Sequence, residues 1–271
     1  MEVGSVPSSG RRKLLKTPTD ILYRLYEDRL VRGIDRARLP RHIGIILDGH
    51  RRYARTERLA DYTTSYRAGM RRFEEFLEWV DQLGIEAVTG WLLSRENLDR
   101  PASELDPYFD VLVDLFGRLP ALCDRYGVKI RFIGSLDLLP ERVRVAAKEA
   151  EEARPDGDRR LTIALGYGGR QEIVDAARQL VDDLAERGVP AGEMSGHIDA
   201  QALAGHMYSA DVPDPDLLIR TSGESRLSGF LLWQSAYAEF VFVDVFWPAF
   251  RRVDFLRAIR DFARRERRFG K

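Results

Sequence analysis

The chain has 271 residues but only one cysteine, Cys123, and four histidines. A single cysteine cannot form an internal disulfide, which fits a reducing compartment, so we expect a cytoplasmic protein. The four histidines lack the spacing of a transition-metal site, which argues against structural zinc.

Long apolar runs and an excess of one charge are also missing. No run reaches the ~18 apolar residues of a membrane-spanning helix. Lys+Arg and Asp+Glu each total 43, so the net charge is zero and no nucleic-acid partner is expected. Residues 1–19, rich in Pro, Ser and Gly with the basic run Arg11, Arg12 and Lys13, are predicted to form a disordered tail. A weak contact of this tail with an anionic membrane surface is the alternative.

Apolar runs alternate with helical periodicities over residues 20–271, which predicts one α/β domain. A helix is expected to end at Gly84, and another to kink or break at Pro120. Strands that alternate with helices favour a mostly parallel six-stranded sheet flanked by helices. The predicted strands are 43–47, 85–93, 128–132, 161–165, 217–219 and 240–243.

Acids, arginines, hydroxyls and glycines follow four of these strands, where parallel sheets bind ligands. Arginine pairs bidentately with phosphate oxygens, and a carboxylate such as Asp48 suits Mg²⁺ placed between protein and phosphate. The groups are Asp48–Arg52; Ser94–Asn97 with Arg100; Gly166–Arg170; and Arg220–Glu224 with Arg226 and Ser228.

Each feature alone has an ordinary structural interpretation. Asp48-Gly49 is a common turn, Arg220 and Arg226 could form surface salt bridges, and Glu239 could be a solvated strand end. Their joint placement favours a polyanion site. A P-loop and a dinucleotide-binding glycine motif are both absent, which argues against a nucleotide binder.

At these residues the sequence resembles the cis-prenyltransferase, or undecaprenyl diphosphate synthase, family. His42–Gly49 resembles its opening motif, Leu93–Pro101 its second, and Tyr167–Arg170 its third. The segment from Ile219 to Glu239 is the most specific match, and Arg268-Phe269-Gly270 resembles the C-terminal motif.

The resemblance implies a Mg²⁺-dependent condensation of an allylic diphosphate with isopentenyl diphosphate. Asp48 and Glu239 would serve the metal, and Asp48, His50, Ser94 and Glu239 would form the catalytic set. The family is dimeric, so we expect a homodimer in which Arg268 and Gly270 reach the partner's site. The residues implied to bind the substrate diphosphates are Gly49, Arg51, Arg52, Arg100, Arg220, Arg226, Ser228, Arg268 and Gly270.

Departures from the family pattern gather on the allylic side. His50 replaces the usual Asn, Tyr66 stands where histidine is frequent, and Leu98 replaces a frequent Trp. Leu92 and Leu93 are expected to line the product tunnel, and the bulk of Leu92 predicts a product of about three isoprene units, similar to Z,E-farnesyl diphosphate synthases of actinobacteria. Two alternatives stay open: a head-to-middle synthase of lavandulyl type, and a non-catalytic subunit of a prenyltransferase complex.

Overall fold

The computed structural model describes residues 18–265, with side chains from residue 25 onward. Helices and strands alternate through this range. The strands are β1 (His42–Ile46), β2 (Ala87–Trp91), β3 (Val128–Ile133), β4 (Arg159–Ala164), β5 (Leu217–Arg220) and β6 (Glu239–Phe242). The helices are α1 (Pro18–Arg32), α2 (His50–Thr56), α3 (Tyr62–Leu83), α4 (Ala102–Asp124), α5 (Glu141–Ala153), α6 (Gly169–Glu186), α7 (Ala200–Ala204) and α8 (Arg252–Arg264).

The six strands form one sheet in the order β3-β4-β2-β1-β5-β6, and every neighbouring pair is parallel. This confirms the predicted α/β fold. Ile46 at the end of β1 lies opposite Trp91 of β2 and Arg220 of β5. The residues that follow these strands therefore emerge at the same edge of the sheet, as expected for parallel strands.

Apolar side chains bury both faces of the sheet. The larger core lies between the sheet and α3, α4 and α8, and includes the fully buried rings of Phe73, Phe76 and Phe116. A smaller cluster on the other face centres on Trp91 and Phe230, whose rings stack 5.2 Å apart. The β2 strand is thus buried throughout, typical of a central parallel strand.

Two local features differ from the sequence-based expectation. Helix α4 continues through Pro120, so the expected break there is wrong, because Leu119 and Leu122 on either side are buried in the core and hold the helix together. Helix α2 was not predicted, because only Ala54 of its seven residues is buried and no apolar stripe marks it.

Residues 1–17 of the predicted tail lie outside the described residues, whereas Pro18 and Thr19 belong to α1. Within residues 18–265, no helix is both long and apolar enough to span a bilayer.

Candidate active site

A cavity of about 420 Å³ opens at the carboxyl edge of the sheet, within the ~300–1,000 Å³ typical of small-molecule sites. Five chain segments meet there: the β1–α2 turn with α2, the start of α3, the segment after β2, the first half of α4 and the loop after β5. The lining residues are Leu47, Asp48, Gly49, His50, Arg51, Arg52, Arg55, Tyr66, Leu92, Leu93, Asn97, Arg100, Tyr108, Glu224 and Arg226. The acid after the first strand and an arginine after the fifth thus share one cleft.

Asp48 sits between two arginines. Its Oδ2 accepts a hydrogen bond from Arg220 at 2.9 Å, and its Oδ1 lies 3.3 Å from Arg52. Burial opposes ionisation, but hydrogen bonds from Arg220 and Ser222 outweigh it and hold the pKa of Asp48 below its ordinary value. Asp48 is therefore an ionised carboxylate at neutral pH, held on the cavity wall by two cations.

Arg220 organises the loop that follows β5. Its side chain is only 7% exposed. One guanidinium nitrogen donates to the Arg226 carbonyl at 2.5 Å and to Ser228 Oγ at 2.8 Å. Ser222 and Ser228 both have positive φ, at 79° and 55°, which non-glycine residues rarely adopt. The loop is thus folded around a buried arginine, and such strain gathers at functional sites.

Gly49 permits the sharp entry into α2. Its φ is 106°, and a Cβ there would lie 2.8 Å from Phe246 Cδ1 and 3.0 Å from Ser222 Cβ. A larger residue would strain the turn and push it off the loop after β5. This close approach brings Arg52 Nη2 within 2.6 Å of Ser222 Oγ, while Arg52 also pairs with Glu224 at 2.9 Å.

His50 is packed against α3. Its Nδ1 lies 3.3 Å from the Ser65 carbonyl, which makes Nδ1 the donor and leaves Nε2 with a lone pair. Nε2 is buried and has no hydrogen-bond partner among residues 18–265. Burial lowers the pKa of His50 to about 4, so the ring is neutral near pH 7.

Glu104 is a site residue that sequence reasoning missed. It accepts hydrogen bonds from Arg100 at 3.0 Å, Tyr66 at 3.3 Å and Arg51 at 3.5 Å. One carboxylate thus orients two of the predicted diphosphate-binding arginines. The signal that could have found it is its spacing, because an acid four residues after Arg100 at a helix start faces the same side.

The glycine turn after β4 contacts the backbone of the loop after β5, which carries part of the site. The Gly169 N–H donates to the Gly229 carbonyl at 3.0 Å, and a Cβ at Gly169 would lie only 2.3 Å from that oxygen. Gly229 directly follows Ser228 in the loop after β5. The turn therefore docks that loop through its backbone, an arrangement the pattern of glycines alone does not reveal.

Leu92 and Leu93 line the cavity, and both are buried. Ser94 lies outside the lining; its Oγ accepts from the Asn97 N–H at 3.2 Å and caps the turn that leads to Arg100.

Glu239 is not brought to Asp48 within one chain. It starts β6 opposite Leu217, at the amino end of the strands, three residues or about 10 Å below the level where β1 ends. Its Oε2 pairs with Arg265 at 2.5 Å. The parallel register puts a strand start at the edge away from the cavity, so the expected Asp48–Glu239 pairing on one metal is not met in a single chain. Arg268 and Gly270 lie outside the described residues.

The residues near Asp48 fit a Mg²⁺ ion that is bound by one protein carboxylate together with substrate phosphates. Among the described residues no group of three His, Cys, Asp or Glu could cage a metal ion. Mg²⁺ in phosphate-transfer sites is commonly held by one or two carboxylates together with substrate phosphates. The ionised Asp48 meets that pattern as a protein ligand, because arginines that could bind the same phosphates surround it.

The fold is that of an α/β protein with an arginine-rich cavity at the carboxyl edge of its parallel sheet. A family model described as "Putative undecaprenyl diphosphate synthase" matches residues 46–270, and the chain belongs to this family.

Known relatives cover nearly the whole chain. It is 48% identical to a (2Z,6E)-farnesyl diphosphate synthase of Thermobifida fusca (strain YX) over 95% of this chain and 99% of the relative. It is 46% identical to a tritrans,polycis-undecaprenyl-diphosphate synthase (geranylgeranyl-diphosphate specific) of Methanopyrus kandleri, over 96% and 95%. Similarity alone therefore does not decide product length.

Among solved structures, the fold matches lavandulyl diphosphate synthase from Lavandula x intermedia in complex with dimethylallyl diphosphate. The TM-score is 0.81 at 32% identity, covering 87% of this chain and 100% of the other.

Proposed function

We propose that this chain is a short-chain cis-prenyltransferase that condenses an allylic diphosphate with isopentenyl diphosphate. The observation that carries the proposal is the single cavity in which Asp48, Arg52 and Arg226 meet, with Arg220 beneath them. One wall of this cavity is apolar, formed by Leu92, Leu93 and Tyr108. A charged rim above an apolar wall suits a diphosphate with a hydrocarbon tail.

The two diphosphates are assigned to the two sides of the cleft. Arg51, Arg52 and Arg100 stand on the side of α2 and α4, where the allylic diphosphate would bind beside Asp48. Arg220, Arg226 and Ser228 belong to the loop after β5, where the diphosphate of isopentenyl diphosphate would bind. Holding both substrates in one cleft lowers the entropic cost of a bimolecular step.

The reaction is a transfer of the allyl group. The C1–O bond of the allylic diphosphate breaks and the diphosphate leaves with the electron pair. The double-bond electrons of isopentenyl diphosphate form the new bond from its C4 to that C1, and a proton is lost from C2. Mg²⁺, when bound at Asp48, would neutralise charge on the departing diphosphate. The arginines are already positioned to stabilise the negative charge on the departing diphosphate. This stabilisation is stronger in a partly desolvated cleft than in water.

A homodimer is part of the proposal. β6 is the end strand of the sheet within the described residues; Phe242 at its end is 41% exposed, and Tyr237 just before it is 79% exposed. Exposed apolar side chains along a sheet edge favour contact with another chain. Light scattering on the purified protein tests this: a monomeric mass at working concentration would refute it.

The activity is tested with purified protein, Mg²⁺, isopentenyl diphosphate and either dimethylallyl or geranyl diphosphate. We expect a Z-isoprenyl diphosphate of farnesyl length, identified by mass spectrometry and NMR. Mainly polyprenyl products would refute the short-chain assignment, and no turnover would favour a non-catalytic subunit.

The second candidate is a head-to-middle synthase, favoured by the structural likeness to lavandulyl diphosphate synthase and by His50 on the allylic side. Dimethylallyl diphosphate as the sole substrate separates the two functions. A branched product formed without isopentenyl diphosphate would support the second.

A further inference from the structure

One arginine of the active-site cavity differs from the others in its charge partners. Five arginines among the described residues line this cavity. Arg55, in the last turn of α2, forms no ion pair within the part of the chain that the structure describes. The other four each pair with a carboxylate, and the pairs are Arg51–Glu104, Arg52–Asp48, Arg52–Glu224, Arg100–Glu104 and Arg226–Glu224.

The hydrogen bonds of the Arg55 guanidinium go to a neutral group. Its Nη2 and Nε donate to the hydroxyl of Tyr62 at 3.3 and 3.4 Å. Tyr62 is the first residue of α3, and Asp61 before it caps the helix by accepting a hydrogen bond from the Thr64 N–H at 2.9 Å. The ring of Tyr62 also lies 6.4 Å from that of Tyr66. A tyrosine fixed at the start of α3 therefore holds a cation whose charge no carboxylate compensates.

Arg55 has access to the α2 side of the cavity. It follows Arg51 by four residues, so the two side chains share one face of α2 with their Cβ atoms about 5–6 Å apart. The side chain of Arg55 is exposed and lines both the active-site cavity and a second cavity of about 880 Å³ beside it. Its guanidinium therefore has room to turn from Tyr62 toward a ligand in the active-site cavity.

The missing carboxylate partner determines how much Arg55 gains from an anion. An arginine that is already paired must share its charge or give up its partner when a phosphate group binds. Arg55 gives up only two long hydrogen bonds to a hydroxyl. Arginine binds phosphate through charge-assisted hydrogen bonds, which are stronger than those between neutral groups. Among the arginines that line the cavity, Arg55 therefore binds a phosphate group with the smallest loss of existing interactions.

We propose that Arg55 is a further residue that binds the allylic diphosphate, and that the hydroxyl of Tyr62 positions its guanidinium for this role. The inference rests on the proposed prenyltransferase function and adds a ligand to the α2 side of the cleft. Arg55 lies after the opening motif, which ends at Gly49, and before the second, which begins at Leu93. The motifs therefore do not indicate it, and only the geometry does.

The test measures binding of geranyl diphosphate by titration calorimetry with Mg²⁺ and without isopentenyl diphosphate, so that no condensation takes place. Steady-state KM values for both substrates are measured alongside, and thermal melting checks that each variant is folded. Arg55→Gln removes the charge, and Arg55→Lys keeps the charge but loses the planar fork. Arg58→Gln is the matched control, because Arg58 is exposed and lines the second cavity but not the active-site cavity.

We expect Arg55→Gln to raise the Kd of geranyl diphosphate about tenfold, as for loss of a hydrogen bond to a charged group. Arg55→Lys should raise it by less. The KM for geranyl diphosphate should rise with the Kd, while the KM for isopentenyl diphosphate stays within about twofold, because Arg55 has no hydrogen bond to the loop after β5. Arg58→Gln should leave the Kd and both KM values within about twofold of the wild type.

The outcomes distinguish failure of this inference from failure of the proposed function. A wild type that binds no geranyl diphosphate and forms no prenyl product refutes the proposed function. If the wild type binds and converts both substrates, a folded Arg55→Gln whose Kd rises less than about threefold refutes the role of Arg55. An equal loss in Arg58→Gln would also overturn it, because the effect would then come from the general positive potential of this surface. Equal increases in both KM values would do the same, since the contact would not be specific to the allylic substrate.

Discussion

Gly169→Ala tests how the loop after β5 is held. The new Cβ would lie 2.3 Å from the Gly229 carbonyl oxygen and 2.7 Å from Leu232 Cβ. Ordinary contacts of this kind need about 3.5 Å or more, so the loop must retreat by roughly 1 Å. The Gly229 oxygen is a backbone atom and the Leu232 Cβ is bonded directly to the backbone. Rotation of a side chain therefore cannot remove the clash with the Gly229 oxygen. Overpacking of this kind costs about 1–3 kcal/mol.

The displaced segment carries Ser228, the neighbour of Gly229 and the partner of Arg220. Misplacement by about 1 Å can cost up to ~100-fold in rate. We therefore expect kcat/KM for isopentenyl diphosphate to fall about 10- to 100-fold. The KM for the allylic substrate should stay within about twofold, because Glu104 of α4 holds Arg51 and Arg100, and Arg52 contacts the loop at Ser222 and Glu224 rather than at Gly229.

The assay is steady-state kinetics with each substrate varied while the other is saturating. Gly117→Ala is the matched control: Gly117 lies inside α4, and a Cβ added there would have nothing within 4 Å of it. It should raise the free energy of unfolding by about 0.5–1 kcal/mol and leave both KM values alone. If folded Gly169→Ala changes both substrates equally, or neither, the docking role is refuted.

Three further predictions concern single side chains. Asp48→Ala should abolish turnover while the protein melts near the wild-type temperature, and retention of more than about a tenth of the activity would remove Asp48 from its role. Glu104→Gln should raise the KM for the allylic substrate about tenfold by loosening Arg100, since bonds between charged groups are worth ~1.5–3 kcal/mol; an unchanged KM would contradict this. Burial lowers the pKa of His42 to about 4 from an ordinary value near 6.5, so the unfolded state takes up the proton first as pH falls. Stability should therefore drop between pH 6.5 and 4, by up to about 2 kcal/mol at pH 5 from this residue, and urea unfolding of His42→Gln should show a weaker pH dependence.

The sequence by itself determined the fold class and most of the site's membership. Alternating apolar runs and helical periods are local signals, so strands β1 to β6 and the long helices could be read from spacing. Parallel strands expose their carboxyl ends at one edge, which is why Asp48, Arg52 and Arg226 were predicted to meet and do line one cavity. Helix α2 escaped prediction because it buries too little to leave a pattern.

Only the tertiary structure decided which groups touch and which do not. The register of β6 set Glu239 at the far edge of the sheet, although its place in a motif predicted a partnership with Asp48. Contacts between segments distant in sequence tied Gly169 to Gly229 and Tyr108 to Leu92, and no local spacing records such pairings. The depth of the cavity therefore depends on how side chains from β2, α3 and α4 pack against one another. These side chains are distant in sequence and meet only in the folded protein.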